Sequence, residues 1–154
     1  MICGLPGAGK TTLAKKLANE RQAVRLCADD WVIRILKDQK DIVERDRLRD
    51  PVEQLLWRLA QELLKLGNVV ILENGFWAKN ERDGYLKIVR ELGARAELYY
   101  VSAPFSVLWE RVEKRNNDSN ELVMTIKELK NSWQVFEPPT KMEGQSYDYF
   151  VVTA

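Results

Sequence analysis

An octapeptide near the N-terminus, Gly4, Leu5, Pro6, Gly7, Ala8, Gly9, Lys10 and Thr11, constrains this chain more than any other feature, because it meets every fixed position of GxxxxGK[ST]. An apolar strand reading over Met1 to Cys3 precedes it, and a helix reading from Thr12 to Asn19 follows. Glycine at Gly4, Gly7 and Gly9 lets the backbone curl with its N–H groups turned inward, and the helix behind adds unsatisfied amides and the positive end of its dipole. Such a cradle takes phosphate oxygens. Lys10 is placed to reach the β and γ phosphates as a point charge, and the Thr11 hydroxyl to complete a Mg²⁺ shell. The implied cofactors are ATP and Mg²⁺, with Gly4, Pro6, Gly7, Ala8, Gly9, Lys10, Thr11 and Thr12 as binding residues. The competing reading is a chance glycine-rich turn, and the strand-to-helix setting argues against it.

The rest of the chain fits that setting. Short β-rich runs alternate with amphipathic helical stretches, the pattern of an α/β fold with a parallel sheet covered by helices on both faces. Strands are expected at Met1 to Cys3, Ala23 to Ala28, Val69 to Glu73, Arg95 to Val101 and Tyr149 to Val152, in one domain over the 154 residues. Asp50, Pro51 and Glu53 read as an N-cap, a proline in first helical position and a capping-box acid, followed by a leucine stripe that Gly67 ends. A helix after Asn80 closes at Gly93, and Pro104 opens another. The dense mixture of charges from Lys37 to Asp50 reads as a solvated helix face or loop, and the polar stretch Asn116 to Glu121 as a mobile surface loop.

Composition narrows the chemistry. Lys and Arg total 24 against 23 acidic residues, so no overall field gathers nucleic acid or an anionic membrane, and any anion site is local. Histidine is absent, which removes imidazole acid-base work and most zinc sites. Cys3 and Cys27 lie in apolar strand-like runs and read as reduced core thiols. No apolar run approaches membrane-spanning length and no lipidation signal is present, so the expected compartment is the cytoplasm, without a membrane partner.

Asp29 and Asp30 stand where the second strand gives way to a helix, at the carboxyl edge where open α/β sheets place their crevice. Asp29 is the candidate base for an acceptor hydroxyl and Asp30 reads mainly as a cap, against the alternative that both only cap the helix. The run Val69 to Glu73 has the form of a Walker B strand, with Glu73 a candidate for the metal or its bound water. Asn74, Gly75, Phe76 and Trp77 follow as either a substrate wall or local core. Arg111 and Arg115 lie four apart on one helical face before the polar loop, as lid cations or as an ordinary charged face.

These residues together resemble the small P-loop kinases of the zeta-toxin and polynucleotide-kinase-like branch, through GLPGAGKTTLAKKLA, ADDW, VVILENGFWAKNERD, LWERVEKRN and WQVFEPP. The resemblance implies a five-stranded core kinase sheet in the order 2-3-1-4-5 with an arginine-bearing lid. It assigns Asp29 as acceptor-activating carboxylate, Lys10 and Thr11 as phosphate and Mg²⁺ groups, and Arg111 and Arg115 as lid cations. Polynucleotide kinases of this branch carry an arginine for the substrate phosphate where this chain has Val32, with only Arg34 nearby. That departure shifts the expected acceptor from nucleic acid to a hydroxylated small molecule. The alternatives are an ATP-hydrolysing switch module with no acceptor, or a nucleic-acid 5′-hydroxyl or nucleotide-sugar kinase.

Overall fold

A computed structural model describes residues 1–38, 41–117 and 122–153. Five parallel strands, β1 (Ile2–Cys3), β2 (Val24–Leu26), β3 (Val70–Leu72), β4 (Glu97–Val101) and β5 (Tyr149–Thr153), alternate with helices. The helices are α1 (Lys10–Arg21), α2 (Ala28–Ile35), α3 (Ile42–Lys65), α4 (Lys79–Glu91), α5 (Phe105–Arg115), α6 (Ile126–Val135) and α7 (Lys141–Gly144).

The strands do not form the single five-stranded ladder expected. β1, β4 and β5 make one sheet in the order β1-β4-β5, and β2 with β3 makes another. With only two residues in β1, the contact toward β3 shrinks to one isolated parallel bridge, Cys3 with Gly75, where the Gly4 N–H donates to the Gly75 carbonyl at 3.0 Å. Two apolar cores result. One gathers Leu26, Val32, Leu56, Leu72, Phe76 and Leu98, and the other Ile2, Ala14, Leu17, Val101, Leu108 and Leu129. Each of these side chains other than Ala14 contributes roughly 1.5–3 kcal/mol on burial. Val32 belongs to this core, so its position offers nothing to a ligand.

The expected helix start at Asp50 and Pro51 is overturned. α3 runs unbroken through Pro51, and its N-cap is Asp41, whose carboxylate accepts from the Glu44 N–H at 2.9 Å. Arg45, Val52, Leu56 and Ala60 are buried along one face that continues across the proline, and this packing outweighs the missing backbone donor. The charged stretch before Asp50 is therefore largely helix. At the second strand, Ala28 passes into α2, and the N-cap is Cys27 with no side-chain bond, so Asp29 and Asp30 sit inside the first turn instead of capping it. No described helix is long and apolar enough to cross a membrane.

Candidate active site

Two of the loop glycines are required by what packs on them. Gly4, at φ +146, lies against the Val101 carbonyl so closely that a β carbon would collide with it. At Gly7, φ +81, a β carbon would stand 2.6 Å from the Leu108 carbonyl in α5. The loop is thus clamped between β4 and α5, and α5 carries the two arginines. Gly9, at φ +106, opens α1 in a left-handed conformation that a side chain would strain.

Lys10, Thr11 and Thr12 begin α1. Lys10 Nζ donates to the Leu5 carbonyl at 3.0 Å, folding the ammonium back along the loop. Burial pushes the Lys10 pKa down, while the nearby charges of Asp29 and Glu73 oppose that fall. Thr11 Oγ1 donates to Glu73 Oε1. Glu73 is buried at the end of β3, and its other oxygen accepts from Arg25 Nε at 2.8 Å. A threonine hydroxyl and a carboxylate oxygen side by side suit Mg²⁺, which takes one or two protein oxygens beside phosphate and water. Among the described residues there is no cluster of three or more His, Cys, Asp or Glu that would hold a metal without a nucleotide.

The adjacent aspartates diverge. Asp30 Oδ2 accepts from Arg25 at 2.6 Å, which removes it to the strand side. Asp29 Oδ1 pairs with Arg49 at 3.0 Å, and Arg49 Nε also donates to Glu53 at 3.1 Å. Arg111 donates to the carbonyls of Gly7 at 3.2 Å and Ala8 at 3.3 Å, and the Arg115 charge falls within reach of Lys10. The predicted lid residues are thereby brought to the loop. The end of α5 is tied down by Asn116, whose amide donates to the Met124 carbonyl at 2.8 Å and accepts from its N–H at 3.0 Å. Of the polar loop expected from Asn116 to Glu121, residues 118–121 lie outside the described residues.

After β3 the chain turns through Gly75 at φ +90 and Phe76 at φ +49. This turn is held by Arg82, fully buried, whose guanidinium donates to the Phe76 carbonyl at 2.8 Å and pairs with Glu143 at 2.6 Å. Phe76 is core, and Trp77 is half-buried beside Gly75. Cys3 and Cys27 are unbridged and buried, and burial pushes both thiols up to about 12, which keeps them protonated and inert.

Arg49, Glu53 and Arg82 were not legible as site residues. Arg45, Arg49, Val52, Leu56 and Ala60 recur at helical spacing, so the stripe that buries α3 already runs through the charged stretch. Extending the stripe upstream past Pro51 was the signal available.

A strand-to-helix phosphate loop, a carboxylate-ended neighbouring strand and cations on a covering helix define a P-loop nucleotide-binding α/β protein with a kinase-like fold. The chain belongs to the AAA domain family, whose model matches residues 1–139. It is 30% identical over 117 residues to a protein of Aeropyrum pernix designated "Probable adenylyl-sulfate kinase", covering 73% of this chain and 63% of that one. The chain therefore spans less than two thirds of that relative's length. Among solved structures, Chaetomium thermophilum Kti12 in complex with ADP-AlF3 superposes with a TM-score of 0.73 at 18% identity, over 99% of this chain and 87% of that one. A sugar kinase from Janibacter sp. HTCC2649 superposes at 0.67 with 21% identity, over 99% and 82%. These two likenesses establish shared fold.

Proposed function

We propose that this chain is an ATP- and Mg²⁺-dependent phosphotransferase that moves the γ-phosphate to a hydroxyl of a small molecule in the cytoplasm. The reading includes the zeta-toxin and polynucleotide-kinase-like branch within the family, and one functional sheet in which the bridge at Gly75 sets the order 2-3-1-4-5. The observation that carries it is the place of Asp29, in the first turn of α2 at the carboxyl end of β2, with its Oδ1 held by Arg49 at 3.0 Å. Its charge also opposes the fall that burial imposes on the Lys10 pKa. A nucleotide switch has no use for a carboxylate held at that edge, whereas an acceptor hydroxyl needs one.

In this reading the loop N–H groups and Lys10 bind the β and γ phosphates. Thr11 and Glu73 would hold Mg²⁺, which when bound supplies charge neutralisation on the phosphate oxygens. Arg49 fixes the Asp29 carboxylate through Oδ1. Asp29 takes the proton of the acceptor hydroxyl as its oxygen bonds to the γ phosphorus, and the bond from that phosphorus to the bridging oxygen breaks to release ADP. Arg111 and Arg115 face the charge that spreads over the transferring group.

Asp29→Asn tests the reading. It should retain ATP affinity in calorimetry and lose roughly 10²–10⁴-fold in phosphoryl transfer, while Asp30→Asn loses far less. Loss of Mg·ATP binding in Asp29→Asn would move Asp29 to the metal shell, and equal losses at both positions would remove the base assignment.

A further inference from the structure

Arg25 is the middle residue of β2, opposite Ile71 of β3, and its side chain reaches past the ends of both strands, to Glu73 after β3 and to Asp30 in α2. Its Nε donates to Glu73 Oε2 at 2.8 Å, and its Nη2 stands 2.8 Å from the same oxygen. On the other edge of the guanidinium, Nη1 donates to Asp30 Oδ2 at 2.6 Å. The Glu73 side chain is 3% exposed and that of Arg25 15%, so water and salt screen little of this contact.

The two oxygens of Glu73 therefore have different neighbours. Oε1 accepts from the Thr11 hydroxyl at the phosphate loop, and Oε2 is covered by the guanidinium. Neutralising a buried carboxylate asks only for a cation nearby. Arg25 does more, because it commits two nitrogens to one oxygen while the other faces Thr11, and Asp30 braces the guanidinium from its far edge. That bracing gives Asp30 a task that neither capping nor base catalysis supplies.

Cations differ in what they ask of a carboxylate. Mg²⁺ demands near-octahedral geometry at about 2.0–2.1 Å beside phosphate and water, and the narrow bite of one carboxylate does not span two octahedral positions. Ca²⁺ takes roughly six to eight oxygens at about 2.3–2.6 Å and readily uses both oxygens of one carboxylate. We propose that Arg25 sets the cation preference of this site: it holds Glu73 so that only Oε1 is offered, which admits Mg²⁺ or Mn²⁺ with the nucleotide and disfavours Ca²⁺. The inference rests on the phosphotransferase reading, which puts the metal between Thr11, Glu73 and the phosphates. Arg25 acts there through Glu73 and is a positioning residue.

The test reads metal binding without an acceptor. Mn²⁺ bound to the complex of the full chain with ADP is measured by electron paramagnetic resonance, and Mg²⁺ and Ca²⁺ are titrated against it. The ratio of their affinities is then compared with the ratio for ADP alone. Groups that orient a metal's ligands change its affinity by roughly 10- to 100-fold when removed. Wild type should accordingly favour Mg²⁺ over Ca²⁺ by about tenfold or more beyond ADP alone, and Arg25→Gln, which frees Oε2, should lose about tenfold of that preference. Arg25→Lys keeps a charge beside Glu73 but only one nitrogen, and should fall between the two. A purely structural role would lower the Tm of Arg25→Gln and leave the ratio where it was, and that result would overturn the proposal. So would a wild-type chain that adds nothing to the ratio of ADP alone. Should Arg25→Gln fail to fold, Arg25→Lys decides, since an unchanged ratio there overturns the proposal as well. Incubation with ATP, Mg²⁺ and pooled hydroxylated metabolites separates the two readings. A ratio that falls as expected, with no metabolite gaining the mass of one phosphate, would keep the role of Arg25 and overturn the phosphotransferase; transfer with an unchanged ratio would do the reverse.

Discussion

Arg82→Leu should destabilise the protein far more than an ordinary surface change. The guanidinium is fully buried, forks onto Glu143 at 2.6 and 3.0 Å and donates to the Phe76 carbonyl at 2.8 Å. Removing it strands a buried carboxylate and leaves a strained turn without its donor. Breaking a buried pair from one side costs about 3–5 kcal/mol. At roughly 2–4 °C per kcal/mol for a chain of this size, the Tm should fall by about 6–20 °C. Arg82→Leu combined with Glu143→Leu removes both charges, so most of the loss should return, the remainder being the carbonyl left without a donor. Thermal unfolding followed by circular dichroism and tryptophan fluorescence measures both variants. A fall below about 2 °C in the single variant, or a double variant as unstable as the sum of its parts, would refute the reasoning from stranded charge.

Lys10→Ala should abolish nucleotide turnover while leaving the Tm close to wild type, because the side chain lies along the loop and not in either core; retained turnover would remove the phosphate role. Arg111→Ala and Arg115→Ala should each lower kcat by roughly 10²-fold with a smaller effect on ATP affinity. Adding a non-hydrolysable ATP analogue should protect residues 108–117 in amide exchange, and near-normal turnover with unchanged protection would return both arginines to a charged surface. Asp148 carries a pH signature. The Ala96 N–H and then Arg90 hold its carboxyl below the usual range, so its stabilising effect is present above the unfolded value near about 3.9 and is lost as pH falls through the folded one. Urea midpoints of wild type and Asp148→Asn should therefore differ at neutral pH and converge in acid, and a constant gap would rule this out.

The phosphate loop, the alternation of strands and helices and the placing of Asp29 and Glu73 were legible because each depends on local spacing. The cores followed from the same alternation. What stayed hidden depended on distance in the sequence. Asp30 turned away because Arg25 on the preceding strand reaches it, and Arg49 became the partner of Asp29 because α3 already runs as helix upstream of Pro51. Proline marks a helix start only when nothing buries the residues before it, and here Arg45 is buried, held by Glu128 and the Val123 carbonyl. The split sheet was equally out of reach, since a run of apolar residues shows that a strand exists but not which neighbour it bonds.

The single bridge between Cys3 and Gly75 separates two kinds of inheritance. Asp29, Arg49, Glu53 and Asn74 all lie on the β2-β3 half, while the phosphate loop, β4 and the arginines of α5 belong to the other. Few backbone bonds tie one half to the other, so changes that reshape the first need not propagate into the second. In the proposed reading, selection can rebuild what this molecule accepts while leaving untouched how it holds its phosphate donor, and Gly4, Thr11 and Glu73, the residues spanning the seam, are where such drift must stop.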